Sequence, residues 1–513
     1  MDFAGYAWLA RQYGAAAVQP LPSRAVIGTV RARRQDPDGI VEIFPAVMRP
    51  SPNLRAHLTF ALKHEGVHLE ALARLFALVD ARELEDWFAS EPFGQYARRS
   101  CFLYEWLTRK ELDIRASVGG NYVEALDPDL CLVNPRPANV PRWRVRDNLL
   151  GTHAFSPTVR WTQRTRQAEA YDCSRHIQKI RAQFGEIALS SSSLSIALEE
   201  CAYSMAMAGQ GGAQPQRVRD MASVVMARSG LGQAPLSAEA LAGLQEELLS
   251  APSTVARGLR NAPAYVGDGL SPEGLAYVAP PWTAVPSMLA GLAAFEAMTA
   301  RQSSILRAAV VSFGFAFIRP LDDGNGRISR FLINDVLRRD AAIPAPLVVP
   351  VSTRLSDARM LPISADQALQ RYQAAWMARF RDTCAVEAGE LHCSAYAEAQ
   401  PTWSYPDLTV QAECLAVAVS EAIEREMPRL VAARRQELDL RAAIQQALGG
   451  TDDLVDRLIE EVLADGWISQ DVLEQLPELQ DEALAERVAQ MVAESGLPGS
   501  EVLQRGMGSR PRV

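Results

Sequence analysis

The sequence lacks the features that mark membrane and secreted proteins. No window reaches about 18 uncharged apolar residues, the length from which a membrane-spanning helix is read, so we expect no membrane span. The first residues, Met1-Asp2-Phe3-Ala4-Gly5, contain neither a basic segment nor a long apolar run, and we therefore expect no signal peptide. We find no internal repeat. These absences predict a cytoplasmic protein.

Cysteines are few, and their spacing forms no familiar pattern. They are odd in number and include no C-x-x-C pair. Reduced thiols in a cytosolic compartment are therefore the expected state. The seven cysteines are Cys101, Cys131, Cys173, Cys201, Cys384, Cys393 and Cys414.

An excess of positive charge is also missing. The formal net charge is −9, which argues against a nucleic-acid-binding surface spread over the whole chain, although a local basic patch stays compatible. Hydrophobic residues make up 48% and charged residues 22% of the sequence, which is typical of a soluble globular protein. A length of 513 residues exceeds one ordinary core and predicts about two to four packed units.

The most informative stretch is a glycine-rich loop that leads into a helix. Gly324 and Gly326 flank Asn325, and all three residue types tolerate positive φ, so consecutive backbone N–H groups can turn inward as an anion-binding nest. The following residues, 327–337, show the apolar spacing of one helical face. The nest therefore lies at a helix N-terminus, where unpaired N–H groups and the macrodipole favour negative charge.

Charged residues around this loop complete a candidate polyphosphate site. Arg327 and Arg330, three residues apart, project from nearly the same side of the first helical turn and can bind phosphate oxygens. Asp322 and Asp323 precede the loop and offer the hard oxygen ligands that Mg²⁺ prefers beside phosphates. The residues alone predict a diphosphate or triphosphate with magnesium as ligand. The competing interpretation is a plain turn between two helices with solvated arginines.

The pattern Pro-x-x-Asp-Gly-Asn-Gly-Arg-x-x-Arg over 320–330 resembles the active-site motif of Fic (Fido) domain proteins, which mostly transfer AMP from ATP to a hydroxyl side chain of a target protein. The resemblance implies that Asp323 binds Mg²⁺. It also implies that Gly324, Asn325 and Gly326 hold the α- and β-phosphates, and that Arg327 and Arg330 clamp the phosphates. Asp323, Asn325, Arg327 and Arg330, together with the family's histidine position, form the catalytic set that it implies.

The sequence departs from the family motif at its start. The family reads His-Pro-Phe, whereas this chain reads Arg319-Pro320-Leu321. The family's histidine is the general base that accepts the proton of the attacking hydroxyl. Arginine, with a pKa above about 12, cannot accept that proton near neutral pH. Nucleotide binding is therefore predicted more firmly than turnover.

Two segments upstream extend the resemblance. Ser195 and Glu199 fit the Ser-x-x-x-Glu pattern of the inhibitory helix in many Fic proteins, although Glu200 stands where the family has a small residue. In that interpretation the Glu199 carboxylate reaches Arg330 and takes the place of the ATP γ-phosphate. A serine-capped helix is the alternative. Residues 258–281 resemble the Fic flap, a β-hairpin that aligns the target peptide, with a plain surface hairpin as the alternative.

The predicted fold class is mainly α. We expect an N-terminal helical domain over 1–115, with one long helix over 54–76, and a connector over 116–165 that is rich in glycine and proline. A Fic-type core over 166–385 carries the inhibitory-type helix and the hairpin flap. The C-terminal region over 386–513 is expected to be helical and contains a candidate winged-helix module near 452–468, which leaves nucleic-acid binding open although a protein partner is favoured.

A second motif suggests a different chemistry. His64, Glu65 and His68 formally match the H-E-x-x-H pattern, in which two histidines bind zinc and the glutamate acts as base. Gly66 weakens the helix that must present both ligands, and no third ligand signature follows. The alternative is a pair of half-exposed helix histidines.

The function that follows is ATP/Mg²⁺ binding in a scaffold built to transfer AMP to a hydroxyl of an unidentified target protein, impaired by Arg319. A catalytically inactive nucleotide-binding or partner-binding module is the alternative, and a zinc metalloprotease is the remote one.

Overall fold

The computed structural model of the protein describes residues 2–36, 39–114, 118–232, 234–249, 256–267, 274–357, 365–387, 390–449, 451–465, 468–495 and 497. Most of these residues lie in α-helices, and the strands are short, which confirms the predicted mainly-α class. In this described part, no helix combines the length and the apolar character that crossing a bilayer requires.

The N-terminal unit contains a sheet as well as helices. Strands β1 and β3 run parallel and β2 pairs antiparallel with β3, so that the order is β1-β3-β2. The long helix predicted over 54–76 is broken, because Gly66 adopts a left-handed φ of 79° between two separate helices. The elements are α1 (Gly5–Tyr13), β1 (Arg24–Gly28), β2 (Ala32–Asp36), β3 (Gly39–Pro45), α2 (Leu54–His64), α3 (Leu69–Phe76), α4 (Ala81–Ser90) and α5 (Gln95–Thr108).

The segment predicted as a connector takes part in this first unit. Its strands β4 (Val123–Glu124), β5 (Ala138–Val140) and β6 (Val145–Asp147) form a small sheet in the order β4-β6-β5. Trp143 and Leu149 are buried in the same apolar core as α2 to α5. Prolines interrupt regular structure here, but the apolar residues between them are still drawn into the core.

A second, larger core surrounds α13, which is buried along nearly its whole length as its continuous apolar sequence predicts. α13 packs against α12, α14 and α18. The elements of this part are α6 (Gln163–Ala170), α7 (Cys173–Phe184), α8 (Glu186–Ser191), α9 (Ser193–Met207), α10 (Pro215–Arg228), α11 (Ala238–Leu249), β7 (Tyr265–Gly267), β8 (Leu275–Val278), α12 (Val285–Met298), α13 (Ser304–Ile318), α14 (Asn325–Arg339), α15 (Val351–Leu355) and α16 (Ala365–Phe380).

The core around α13 extends past the predicted boundary at 385 as far as Val431, and a separate core begins at Leu440. Described residues after Cys393 contain no strand, and the candidate winged-helix module near 452–468 includes residues 466 and 467, which lie outside the described residues. The elements are β9 (Cys384–Glu387), β10 (Glu390–Cys393), α17 (Tyr396–Ser404), α18 (Thr409–Glu421), α19 (Met427–Leu448), α20 (Asp452–Asp465), α21 (Gln470–Gln475) and α22 (Glu482–Glu494).

Candidate active site

The candidate site lies in the loop between α13 and α14. α13 ends at Ile318, and the residue that caps it, Arg319, adopts a left-handed conformation with φ 48° and ψ 59°. The Asn325 side chain then closes the loop, because its Oδ1 accepts the Leu321 N–H at 3.0 Å and its Nδ2 donates to the Leu321 carbonyl at 2.6 Å. Asn325 is buried, so its side chain shapes the loop and leaves only its backbone N–H for a ligand.

Gly324 is the turning point of the loop. Its φ is 89°, whereas Asn325 and Gly326 already lie in the first turn of α14. Of these three residues, all of which tolerate positive φ, only Gly324 adopts it, since α14 begins one residue later. A Cβ on Gly324 would also lie 3.2 Å from the methyl groups of Leu249, so the backbone conformation and the close packing both require glycine.

The start of α14 offers three backbone donors. The first helical bond runs from the Ile328 N–H to the Gly324 carbonyl at 2.9 Å. The N–H groups of Asn325, Gly326 and Arg327 precede this bond and have no hydrogen-bond partner in the described part of the chain. Unpaired donors at the positive end of a helix dipole favour an anion.

The Asp323 carboxylate lies at the mouth of this donor set. Its Oδ1 accepts the Gly324 N–H at 2.6 Å and its Oδ2 accepts from Arg327 Nη2 at 3.3 Å. The side chain is 54% exposed, so it can turn toward a cation without unpacking the core. The described residues contain no cluster of three or more His, Cys, Asp or Glu side chains arranged around a metal. A cation here would rely on Asp323 together with phosphate oxygens.

The two arginines of the motif face the C-terminal end of α9 and the loop after it. Arg327 is buried and donates from Nη1 to Gln210 Oε1 at 3.3 Å. Arg330 donates from Nε to Ser204 Oγ at 2.7 Å and from Nη2 to the Ser204 carbonyl at 2.6 Å. A Cβ on Gly326 would lie 3.4 Å from Arg330 Nη1, which places this guanidinium beside the first turn of α14. Both guanidinium groups therefore lie on one side of the donor set.

The structure corrects the assignment of the inhibitory pair. Glu199 accepts a hydrogen bond from Arg429 Nη2 at 2.9 Å, and Ser195 is exposed. The α9 residue that contacts Arg330 is Ser204. Five residues separate Glu199 from Ser204, which is a rotation of about 140° around a helix. The two side chains therefore project from different faces. Glu200 shares the face of Ser204, but both of its carboxylate oxygens are bonded to Ser352.

A comparison with protein families assigns this part of the chain. Residues 204–337, which run from the end of α9 to near the end of α14, match the model of the Fic/DOC family. This segment is a Fic domain. It contains every residue of the loop, both arginines and the flap strands β7 and β8.

Solved structures of Fic proteins show a more distant likeness. A Fic family protein from Desulfovibrio desulfuricans G20 is 18% identical, with a TM-score of 0.31, and the match covers 64% of this chain and 90% of that chain. A Fic domain-containing signaling protein from Bacteroides thetaiotaomicron VPI-5482 is 15% identical, with a TM-score of 0.27, covering 52% of this chain and 94% of that chain. The comparison with curated proteins gave no match.

Arg319 stands at the start of the Fic motif with a half-buried side chain. Burial lowers the pKa of its guanidinium, and the neighbouring Tyr277 and Asp323 act in the opposite direction. The guanidinium makes no hydrogen bond or ion pair within the described part of the chain. It is therefore a cation beside the loop that has donors to offer a ligand and no acceptor for a proton.

Arg260 is a residue of the Fic domain to which sequence analysis assigned no role. It is 3% exposed and donates from Nε to the Arg319 carbonyl at 2.7 Å and from Nη2 to the Pro280 carbonyl at 2.6 Å. Its Nη1 donates to the Ala262 carbonyl at 2.9 Å, and burial lowers its pKa to about 10. One side chain thus ties both ends of the flap hairpin to the end of α13. No local sequence pattern marks this role, because the partners are up to 59 residues away.

A second support comes from α11. Gln245 is buried, donates from Nε2 to the Asp323 carbonyl at 2.9 Å and accepts the Gly258 N–H at 2.9 Å. Together with Leu249, which packs against Gly324, Gln245 holds the loop from α11, an element separate from α9. The amide donors of α14 are therefore held in place by several separate elements.

The structure does not bring the H-E-x-x-H residues together as a zinc site. α2 ends at His64, and His68 instead caps α3, where its Nδ1 accepts the Ala71 N–H at 3.2 Å. Glu65 accepts the Tyr6 N–H at 2.9 Å, and thereby binds the start of α1. The metalloprotease interpretation is wrong, because the turn at Gly66 prevents one helix from presenting both histidines.

Proposed function

We propose that the Fic domain binds ATP with Mg²⁺ at the N-terminus of α14, in a scaffold built to transfer AMP to a hydroxyl side chain of a target protein. One observation carries this proposal. Three N–H groups, of Asn325, Gly326 and Arg327, have no partner among the described residues and lie beside two guanidinium groups and one half-exposed carboxylate. Polyphosphate with a divalent cation matches these donors and this acceptor.

Each residue then has a defined task. The amides of α14 hold phosphate oxygens, and Arg327 and Arg330 neutralise the charge that builds up as the α-phosphate is attacked in line. Asp323 would hold Mg²⁺ after releasing the Gly324 N–H, and the metal would supply positive charge that neutralises the phosphates. Arg330 exchanges Ser204 for phosphate oxygens. The strands of the flap offer an edge along which the target segment could pair.

Arg319 limits turnover in this proposal. The attacking hydroxyl must lose a proton, and a guanidinium has no lone pair to accept it. The absence of a general base typically costs about 10²–10⁴-fold in rate, so we expect nucleotide binding with feeble transfer. A non-catalytic nucleotide-binding or partner-binding module is the second candidate, and the same residue, Arg319, favours it.

Calorimetric titration tests the binding step. We expect ATP affinity to rise with Mg²⁺ and to fall about 10- to 100-fold in Arg327→Ala, since bonds to charged groups are worth about 1.5–3 kcal/mol. Arg435→Ala is the matched control, because Arg435 forms an exposed ion pair with Asp439 away from the loop. Equal ATP affinity in wild type and Arg327→Ala would contradict the proposed site.

A second experiment separates the two candidates. Arg319→His and wild type are incubated with ATP labelled at its α-phosphate, and label is followed on the chain itself and on lysate proteins. The transferase proposal expects a gain of about 10²–10⁴-fold on introducing histidine. The double variant Arg319→His with Arg327→Ala should lose that gain. A variant that binds ATP and shows no gain would favour the non-catalytic module.

A further inference from the structure

Two cysteines face each other across the β9–β10 hairpin. Cys384 and Cys393 are direct partners in the antiparallel register. The Ser394 N–H donates to the Thr383 carbonyl at 3.0 Å, so the next pair along the ladder is hydrogen-bonded and the cysteine pair is not. Non-hydrogen-bonded partners have Cα atoms about 4.5 Å apart with side chains on the same face. This separation lies within the range of about 4.4–6.8 Å that a disulfide spans.

The two thiols share one local environment. Thr383 Oγ1 lies 3.7 Å from Cys393 Sγ and 4.0 Å from Cys384 Sγ, and Cys384 Sγ donates to the Phe380 carbonyl at 3.5 Å. Cys384 is buried, whereas Cys393 is half-exposed. The neighbouring Cys384 thiol lowers the pKa of Cys393 to about 6. The reachable member of the pair is therefore the more readily ionised thiol, and so the better nucleophile.

The remaining cysteines differ from Cys393 both in exposure and in the pKa of the thiol. Each of them is buried, and burial raises the pKa of each thiol well above its ordinary value. Buried protonated thiols react slowly with disulfides and peroxides. The contrasting set is Cys101, Cys131, Cys173, Cys201 and Cys414.

We propose that Cys384 and Cys393 are a reversible oxidation site, at which a small disulfide such as glutathione disulfide forms an intramolecular bond between them. The Cys393 thiolate attacks one sulfur of glutathione disulfide and releases one glutathione thiolate. The Cys384 thiol then loses its proton and attacks the Cys393 sulfur, which releases the second. Two protein thiols are oxidised, and one glutathione disulfide is reduced to two glutathione molecules.

The hairpin needs little rearrangement for this step, since its register already places the two residues opposite each other. Oxidation would fix β9 to β10 where the chain passes from α16 to α17. Tyr396 lies three residues after Cys393, and its phenol interacts electrostatically with both cysteines and with Arg260. This inference does not depend on nucleotide binding.

Thiol counting and peptide mapping test the proposal on the full chain. After incubation with glutathione disulfide at neutral pH, we expect wild type to lose two of its seven free thiols and to yield one linked peptide joining Cys384 to Cys393. Excess glutathione should restore both thiols. Cys414→Ser is the matched control and should still lose two thiols. No thiol loss, or linkage through other cysteines, would overturn the proposal.

The variant Cys384→Ser tests the first exchange step, the attack of Cys393 on glutathione disulfide, without the second step that closes the bond. Without the second thiol, the reaction should stop at a stable glutathione adduct on Cys393. Limited alkylation of Cys393 in wild type should reach half its maximal rate at a lower pH than alkylation of an ordinary thiol. A wild-type chain that accumulates the mixed adduct without closing the bond would show that the two sulfurs do not meet. That measurement needs no substitution and so does not depend on the folding of the variant.

Discussion

The buried carboxyl group of Glu200 should make the free energy of unfolding depend on pH. This carboxyl lies on α9 and is 4% exposed. Its Oε2 accepts the Ser352 N–H at 2.7 Å and its Oε1 accepts from the Ser352 hydroxyl at 2.6 Å, so that it holds the start of α15. Burial raises the pKa of Glu200 to about 7, although the bonds to Ser352 and the charge of Arg330 act against this rise.

The direction of the effect follows from proton binding. Between pH 4.5 and about 7 the folded chain holds the Glu200 proton while the unfolded chain has lost it. The free energy of unfolding therefore falls as pH rises through this window. The stabilisation is fully present below pH 4.5 and is lost above about 7. A pKa difference of this size corresponds to about 3 kcal/mol, at 1.36 kcal/mol per unit.

Glu200→Gln should remove this dependence. Glutamine stays neutral at every pH, and its amide can still accept the Ser352 N–H and donate to the hydroxyl. We expect hydrogen exchange of α9 and α15 amides to lose protection in wild type as pH rises from 4.5 to 7, after correction for intrinsic exchange, and to change little in Glu200→Gln. Glu199→Gln, on the exposed pair with Arg429, is the control and should keep the wild-type slope. An unchanged slope in Glu200→Gln would refute the reasoning.

Three further substitutions test the candidate site. Asp323→Asn should reduce the gain in ATP affinity that Mg²⁺ provides, measured by calorimetry with and without the metal; an unchanged gain would exclude Asp323 as the ligand. Arg260→Met should lower the free energy of unfolding by about 3 kcal/mol, because buried carbonyls lose their donor, and hydrogen exchange of the flap strands should rise more than that of α20. Gly324→Val should weaken ATP binding strongly, since both the positive φ and Leu249 oppose a side chain. Gly243→Ala, at a helical glycine of α11 with open space around its Cβ and no positive φ, should not weaken it.

Local patterns predicted the motif region well. The apolar face over 327–337 and the continuous apolar run over 305–318 correspond to α14 and α13, because each pattern reflects burial within a few residues. The glycine-rich loop between these helices also lies where the sequence placed it. Its backbone differed in detail: the first turn of α14 includes Asn325 and Gly326, so their N–H groups belong to a helix terminus.

Contacts between residues far apart in the sequence could not be predicted from local patterns. Arg330 contacts Ser204 across 126 residues, and whether Ser204 or Glu199 faces Arg330 depends on the rotation of α9 against α14.

The sheet of the N-terminal unit was likewise not predicted from the sequence. Its central strand β3 pairs in parallel with β1, and the partners in that pairing are 17 residues apart, so no hairpin turn links the two strands.

The arrangement around α14 implies a particular cost for nucleotide binding. Asn325, Gln245 and Arg260 fix the loop backbone without any ligand, so the amide donors need no reorganisation. The charged groups must rearrange for the proposed binding, because a phosphate would displace Asp323 from the Gly324 N–H and Ser204 from Arg330. Since α9 supplies that second contact, any partner that shifts α9 would change the availability of Arg330. If the site binds phosphate as proposed, its affinity is coupled to the position of α9 through Ser204, which contacts Arg330 where an inhibitory carboxylate was expected.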